Sequence, residues 1–364
     1  MKTLKTLTLA LLITLTIACQ NKKSNMNTQT TNDTIPEAWE EMCNAPQGYP
    51  IEVYEGGLLR INEDGEVINS RNLSGYGLST GFYGWGSSGG GMSRNKFVPT
   101  HINCIWLSYA EGVFYYIDSP IDYNKMLKLF QEGYPNSLAF LNYGERKKSY
   151  YNSIITGFAP DGVVVIWLAG SGRQVEIGRY KGQKYVVDPE EIASLEQEKH
   201  VLFEKWFRDG IMVDPNVIPI EVQKANVGKP IPYGLWDSYR TKYSWRPVFE
   251  VQQEGVMRSA YMEMINGEKE KLFDIALKEN KYKKRARPIM VDFGWYDNKK
   301  KGFAAEIIFN EQEIKTAFEE LYKENKDIEA DLVFTVNHSN NFVTILLKSK
   351  DKEIRLTKTK VNMY

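Results

Sequence analysis

Apolar residues recur at helical spacing in two segments of a chain that otherwise alternates like β-strands. They are Tyr123, Met126, Leu127 and Phe130 in the first segment, and Ile314, Ala317, Phe318 and Leu321 in the second. Ser119 is the expected N-cap of the first helix, with Pro120 at its first position, and Asn310 caps the second. The pattern therefore predicts helices over 120–132 and 311–323.

Two sets of three β-rich runs predict two antiparallel meanders, because turn residues separate the runs. The runs cover 152–158, 163–168 and 174–180 in the first set, and 331–337, 342–348 and 353–358 in the second. Two hairpins are expected upstream of the helices, over 51–67 and 246–265. A further helical pattern covers 268–279.

Several landmarks recur at one constant offset in the numbering, which indicates an internal repeat. Trp106 and Trp295 each lie seven positions after a proline, Pro99 and Pro288, and each is followed by a second strand and a capped helix. A chance alignment of common elements is the alternative. The repeat predicts an α+β fold of two similar tandem halves, each a mostly antiparallel sheet with one main helix packed on it.

Positions 1–18 are typical of a lipoprotein signal peptide. Lys2 and Lys5 precede an apolar run over 7–17, and Ala18-Cys19 follows it. The run is too short to span a bilayer as a helix. We expect cleavage after Ala18 and lipidation of Cys19, with palmitate among the acyl chains; a secretory peptide cut elsewhere is the alternative.

Residues 19–35 predict a flexible tether, because almost no apolar side chain is available for burial. The two halves are then expected over 36–215 and 216–364. Gln20 rather than Asp follows the lipidated cysteine, and no acidic cluster comes next. The predicted location is the cell envelope, on the outer membrane and facing the periplasm.

The composition narrows the classes of partner. Cleavage after Ala18 removes Lys2 and Lys5, so 46 − 2 = 44 basic side chains remain against 46 acidic ones, and no charge excess recruits nucleic acid. The 8 Trp, 22 Tyr and 16 Phe suit β-rich packing and also exposed binding platforms. Cys43 and Cys104 remain after lipidation, either as a disulfide in an oxidising compartment or as two buried free thiols.

Catalytic and cofactor signatures are weak throughout the sequence. Residues 84–91 contain G-x-G-x-x-G, but no amphipathic helix follows, so we predict no nucleotide site. His101, His200 and His338 are far apart in the sequence and predict no metal site. We therefore expect no cofactor. A hydrolase would need a carboxylate pair facing a cleft.

The segment over 232–247 is rich in aromatic and arginine side chains. These residue types dominate protein-binding hot spots, but the same side chains could pack the two halves together as a wedge. The glycine-rich run adds one more aromatic candidate. The candidate interaction residues are Trp85, Trp236, Tyr239, Arg240, Trp245 and Arg246.

Several motifs together carry a family resemblance. They are the Ala18-Cys19 site, Gly84-Trp85-Gly86, Ile105-Trp106-Leu107-Ser108-Tyr109, Gly157-Phe158-Ala159-Pro160 and Tyr233-Gly234-Leu235-Trp236. The chain resembles a bacterial lipoprotein family known only as domain of unknown function 2931. The resemblance implies an envelope lipoprotein and brings no activity, cofactor or catalytic residue. Some members are thought to neighbour contact-dependent toxin genes, which implies an immunity role.

The sequence favours a lipid-anchored protein that acts by binding rather than by catalysis. Its expected partners are the bilayer, through acylated Cys19, and a protein that is either a delivered toxin or a component of an envelope complex. A glycan-binding lipoprotein with aromatic platforms and a cofactor-free envelope hydrolase are the alternatives.

Overall fold

Strands are the most frequent regular elements in the computed structural model, which describes residues 33–73, 76–77, 85–86, 94–135, 148–251 and 255–364. The strands are β1 Glu40–Asn44, β2 Ile51–Ile61, β3 Val67–Asn72, β4 Tyr76–Gly77, β5 His101–Ser108, β6 Val113–Pro120, β7 Tyr134–Pro135, β8 Lys148–Ser149, β9 Ser153–Ala159, β10 Val163–Gly170, β11 Arg173–Lys181, β12 Gln183–Tyr185, β13 Tyr243–Val251, β14 Val256–Met264, β15 Lys269–Phe273, β16 Lys283–Arg285, β17 Pro288–Tyr296, β18 Gly302–Ile308, β19 Ala330–Val336, β20 Val343–Lys348, β21 Glu353–Leu356 and β22 Lys360–Met363.

The helices lie between and after these strands. They are α1 Tyr123–Glu132, α2 Pro189–Ser194, α3 Gln197–His200, α4 Lys205–Val213, α5 Ile220–Asn226, α6 Leu235–Tyr239, α7 Asp274–Glu279 and α8 Glu311–Leu321, with a 3-10 turn at Val201–Phe203. No helix among the described residues is long and apolar enough to cross a membrane. Cys19 and the rest of the predicted signal peptide and tether up to residue 32 lie outside the described residues.

Three larger sheets and one small hairpin, β7–β8, organise the strands. The orders are β1-β9-β10-β11-β15-β14-β17-β18-β22, β12-β6-β5-β2-β3 with β4 also on β2, and β16-β13-β19-β20-β21. Most pairs are antiparallel, but β1 pairs with β9 and β13 with β19 in parallel. With helices packed on these mainly antiparallel sheets, the fold is α+β, as the sequence predicts.

Two hydrophobic cores surround the two predicted helices. The first core contains Trp106 of β5 and the buried face of α1, and the second contains Trp295 of β17 and the buried face of α8. A third cluster lies between them and joins Trp167 of β10 to Ile289 of β17. Because the nine-stranded sheet includes strands from both regions, residues 34–364 form one contact unit.

The sequence predicted the N-cap of the second helix correctly and the N-cap of the first helix wrongly. Asn310 caps α8 by accepting a hydrogen bond from the Glu313 amide at 3.0 Å, as expected. The N-cap of α1 is Asp122, which accepts from the Lys125 amide at 3.1 Å, and not Ser119. Ser119 and Pro120 instead complete the β5–β6 ladder, and this pairing delays the start of the helix.

Two other sequence-based assignments need correction. The expected hairpin over 246–265 is not formed, because β13 pairs with β19 while β14 pairs with β15 and β17. The helical pattern over 268–279 is a strand, β15, followed by the short helix α7. Pairing with the distant strand β19 takes β13 away from the expected hairpin, whereas β15 forms a short hairpin with β14 that overrides the local helical pattern.

Candidate binding site at the junction of the two cores

Helix α6 places the predicted aromatic residues at the junction between the cores. Gly234 precedes the helix with a φ of 81°, a left-handed conformation that glycine adopts without strain. Trp236 is then 2% exposed and packs edge-on against Tyr49, with 5.2 Å between the ring centroids. Tyr239 is also buried, and both side chains belong to the third hydrophobic cluster, with Trp167 and Ile289.

Two bidentate ion pairs fasten this segment to β11. Arg179 donates to the Asp237 carboxylate at 2.8 and 2.7 Å. Arg240 donates to Glu176 from Nη2 at 2.7 Å and from Nε at 3.1 Å. Paired guanidinium–carboxylate hydrogen bonds fix orientation as well as distance, so α6 has a defined position on β11.

Trp85 and Gly86 insert into the same junction. The Trp85 ring packs edge-on against Trp167 at 5.2 Å, and Gly86 hydrogen bonds to the side chains of Asn44 and Gln174. A Cβ atom on Gly86 would lie 2.7 Å from the Cα of Gly267, and its φ is 92°. Only glycine fits this approach between two backbones, which explains the Trp-Gly pair within the glycine-rich run.

A cavity of about 360 Å³ lies beside these residues. Its lining includes Tyr49, Trp85, Trp236, Tyr239 and Glu311. The Trp85 indole N–H has no hydrogen-bond partner among the described residues, whereas the Tyr239 hydroxyl donates to Glu311 at 2.7 Å. Burial and the Glu311 carboxylate raise the pKa of Tyr239, so this hydroxyl stays protonated and serves as a donor.

Trp245 and Arg246 do not belong to this junction. Trp245 is fully buried in the second core and donates its indole N–H to the Ala286 carbonyl at 3.2 Å. It therefore offers no surface to a partner, which corrects the expectation for this residue. Arg246 pairs with Asp331 at 2.8 Å and lies over the Tyr282 ring.

Cys43 and Cys104 are both free thiols in the structure. They lie close enough to influence each other electrostatically, and both contact the first core. Burial, with Glu41 nearby, raises the pKa of the Cys43 thiol to about 12, and burial also raises the pKa of Cys104. Thiolates are the reactive form, so these protonated thiols are poorly suited to exchange. The disulfide stays a prediction.

A second cleft, of about 540 Å³, was not predicted from the sequence. Arg173, Tyr134 and Glu270 line it, and Glu270 hydrogen bonds to Arg285 at 2.7 Å and to Lys283 at 2.6 Å. Burial alone would raise the pKa of Glu270, but these two cations outweigh it and hold the pKa at about 2. The carboxylate is charged at neutral pH and is occupied by its own partners.

A cleft of about 770 Å³ near the end of β20 also lay outside the sequence predictions. It lies between Tyr282, Asp331 and the turn after Lys348.

Among the described residues, no three His, Cys, Asp or Glu side chains are grouped as a metal site. Asp292 and Glu306 face each other across β17 and β18, but neither lines any of the three clefts.

Helix α4 carries an exposed tryptophan, which sequence reasoning did not identify. Phe207, Ile211 and Met212 pack towards a cluster under the helix that includes Phe114 of β6. Trp206 and Val213 lie on the opposite side, each 67% exposed. The sequence could have shown this surface, because Trp206 and Val213 fall on the side of α4 opposite to Phe207 and Ile211.

Comparison with known proteins gives one positive finding. The model of a protein family of unknown function, DUF2931, matches residues 22–234. The chain belongs to the DUF2931 family. No curated protein and no solved structure matches it.

The DUF2931 match begins within the predicted tether and ends at Gly234, the residue before α6. It therefore covers the first core, the connecting helices α2 to α5 and the Trp85-Gly86 pair. Trp236, Tyr239 and Arg240 lie just beyond it. Nothing in the DUF2931 match assigns an activity to this chain.

Proposed function

We propose that this chain is a lipid-anchored protein of the bacterial cell envelope that acts by binding another protein through the outer face of α4. The observation that carries the proposal is the exposure of Trp206. All eight tryptophans lie in described residues, and the other seven are at most 2% exposed. Tryptophan is strongly enriched in protein-binding hot spots.

The surroundings of Trp206 support a protein partner. The outer face of α4 continues from Trp206 through Gly210 to Val213, and nothing lies within 4 Å of where a Cβ on Gly210 would be. Ile220 and Val227, at the two ends of α5, are also exposed. Lys205 and Asp209 lie on the same exposed side of α4 and pair at 2.6 Å, so Trp206 and Val213 form a small apolar patch bordered by charge, like the apolar core and polar rim of a protein interface.

The glycan and hydrolase alternatives have less support. Trp85 and Trp236 are buried at the junction, so a glycan platform would have to use the same exposed Trp206 ring as a protein partner. A hydrolase needs two carboxylates facing a cleft. The 770 Å³ cleft has Asp327, Glu329, Asp331 and Asp351 in its lining, but Asp331 is paired with Arg246 and accepts a hydrogen bond from Tyr282, and Asp327 lies 3.6 Å from the Lys284 ammonium. Either a delivered toxin or an envelope component suits the proposed binding face.

The binding role is tested by substituting the exposed tryptophan. Trp206→Asp should abolish capture of the partner from membranes while leaving the melting temperature near that of the wild type, since surface substitutions change stability by about 0.5 kcal/mol. Val256→Asp is the matched control, because Val256 is 63% exposed elsewhere. Partner capture by Trp206→Asp at the wild-type level would contradict the proposal.

The anchor is tested separately at Cys19. A palmitate analogue should label the wild-type protein in cells but not Cys19→Ala. An unlabelled wild type, or a mature N-terminus away from Cys19, would exclude lipidation. Neither result bears on the α4 surface, so the two parts of the proposal can fail independently.

We also infer that the molecule consists of two repeated halves. Strand order supports this: β1-β9-β10-β11 in the nine-stranded sheet matches β13-β19-β20-β21, including the parallel first pair. Likewise β12-β6-β5-β2-β3 matches β22-β18-β17-β14-β15. β4 and β16 have no counterpart strand, but chance poorly explains the agreement of all the other strands in two independent orders.

Side-chain details support the same inference. A register shift interrupts β2 opposite Trp106, and another interrupts β14 opposite Trp295. Each of these tryptophans stacks on the aromatic residue directly across the next strand, Tyr115 or Phe303.

Two other tryptophans make matching hydrogen bonds. Trp39 donates to the Phe97 carbonyl at 2.6 Å, and Trp245 donates to the Ala286 carbonyl at 3.2 Å. The sequence offset between Phe97 and Ala286 is the same one that relates Trp106 to Trp295. An experimental structure in which Trp106 and Trp295 occupy unrelated strands would refute the repeat.

A further inference from the structure

The cleft of about 540 Å³ lies where elements of the first core region meet elements of the second. Its lining comes mainly from the end of α1, β7, the β10–β11 turn, β15 and α7. Leu129, Pro135, Leu272 and Phe273 give this lining an apolar surface. The volume and the apolar walls suit a small organic ligand, with a few polar groups to fix its orientation.

Arg173, the first residue of β11, brings hydrogen-bond donors to this cleft that the described residues do not use. Its Nε is buried and has no hydrogen-bond partner among those residues. Its Nη1 lies 3.6 Å from Oε1 of Glu270, which is an ion-pair contact but too long for a hydrogen bond. The Arg173 side chain is still 36% exposed, so part of the guanidinium remains open to a ligand.

A second donor, the Tyr134 hydroxyl, lies close to Arg173. The Tyr134 side chain is 7% exposed, and its hydroxyl has no acceptor among the described residues. Burial raises the pKa of both Tyr134 and Tyr151, while the nearby charge of Arg173 acts in the opposite direction on each, so both hydroxyls stay protonated beside the guanidinium. A Cβ on Gly170 would collide with the Tyr134 hydroxyl, so the glycine leaves room for it.

The acidic side chains of the lining do not satisfy these donors, because each already has a cation of its own. The pairs are Glu270 with Arg285 and Lys283, Glu279 with Lys281, and Glu132 with Lys128. A buried donor that finds no acceptor costs free energy. The free donors of Arg173 and Tyr134 are therefore best explained by an acceptor that comes from outside the chain.

We propose that this cleft binds a small organic acid, with its carboxylate on Arg173 and Tyr134 and its apolar body against Leu129 and Phe273. A planar carboxylate matches the paired donors of a guanidinium. One negative charge suits the cleft better than the double charge of a phosphate, because three carboxylates share the lining. The site uses no residue of α4, so the inference goes beyond the proposed function and does not depend on it.

The experiment is isothermal titration calorimetry on the mature chain carrying Cys19→Ala, with 4-phenylbutyrate and hexanoate as probes. Both acids combine one carboxylate with an apolar body, and each should bind saturably at one site per chain. The corresponding alcohols, 4-phenylbutanol and hexanol, should bind about tenfold more weakly or not at all, because they lack the charged acceptor. Inorganic phosphate should not bind.

Substitutions of the two donors separate recognition from folding. Tyr134→Phe keeps the ring and removes only the hydroxyl, so it should weaken binding of both acids about tenfold and leave the alcohols unaffected. Arg173→Gln should abolish acid binding, whereas Arg173→Lys, which keeps the charge without the paired donors, should retain part of it. Tyr296→Phe and Arg258→Gln are the matched controls outside the cleft, and both should bind the acids like the wild type.

An absence of saturable binding by both acids would overturn the proposal. Equal binding of the acids and their alcohols would do the same, because the cleft would then recognise apolar surface alone. Wild-type affinity for the acids in Arg173→Gln or in Tyr134→Phe would show that the carboxylate is not held by these donors, and would also overturn it.

Discussion

Residue types alone did not show whether the aromatic and arginine side chains of α6 would be buried at the junction or exposed to a partner. Trp236 and Arg240 were identified from the sequence by their helical spacing and chemistry. The sequence did not show which residues they contact. Glu176, which accepts a hydrogen bond from Arg240, lies on β11, far from Arg240 in the sequence. Whether such residues form an anchor or a wedge depends on burial, which only the folded chain decides.

Trp236→Ala should lower the free energy of unfolding by about 3 to 5 kcal/mol, as deletions of large buried aromatic side chains do. Urea unfolding followed by circular dichroism measures the change. Trp206→Ala is the control, because Trp206 is 67% exposed and its truncation leaves no cavity. A Trp236→Ala protein with the wild-type midpoint would show that the junction does not depend on this ring.

Glu270 should make stability depend on acid pH. Its folded pKa of about 2 lies below the value of 4.5 for an unperturbed carboxyl, so its contribution is present above pH 4.5 and is lost as pH falls towards 2. That shift corresponds to about 3 kcal/mol at neutral pH.

The substitution that checks this is Glu270→Gln, which should be clearly less stable than the wild type at pH 7 and nearly equal to it at pH 2.5. Urea titrations at both pH values provide the comparison. Glu279→Gln, in the same cleft but 56% exposed, should differ little from the wild type at either pH. If the difference in unfolding free energy between the wild type and Glu270→Gln were the same at pH 2.5 as at pH 7, Glu270 would stabilise the fold through packing alone.

Elements with local signals were predicted well, and elements defined by distant pairing were not. Asn310 and the apolar face of α8 identify that helix within one short stretch of sequence. The hairpin expected from β13 failed because β13 pairs with the distant strand β19. β15 was mistaken for helix because Lys-Glu-Lys-Leu-Phe favours a helix, although it forms a short hairpin with β14. α4 was missed because its apolar residues face two directions.

The corrected start of α1 gives a test at the level of the element. Asp122→Ala should cost about 1 kcal/mol, because the cap that satisfies the Lys125 amide is lost. Ser119→Ala should cost little, since Ser119 lies in β6 and does not cap the helix. Thermal unfolding of both variants separates the two positions, and a larger loss for Ser119→Ala would restore the cap expected from the sequence.

The whole molecule is held together by the sheet that runs through both cores. The sequence suggested the proposed repeat, but it did not show the β11–β15 pair that joins the two regions, because Gln174 and Lys269 are far apart in the sequence. The Arg179–Asp237 and Arg240–Glu176 pairs reinforce the same junction. These contacts couple the stability of one region to the other.

Heating should therefore produce a single cooperative transition. Differential scanning calorimetry of the chain should give equal calorimetric and van't Hoff enthalpies, as expected for one folding unit. Two resolved transitions would show that the two regions unfold separately and that the shared sheet contributes little to their coupling.

Photo-crosslinking in intact cells tests the central claim, protein binding through α4, most directly. With a photoreactive amino acid in place of Trp206, irradiation should trap a discrete protein adduct on the membrane-anchored chain. The same amino acid at Val256, an exposed site away from α4, should trap none. An absence of adducts at both positions, or identical adducts at both, would contradict the binding role assigned to α4.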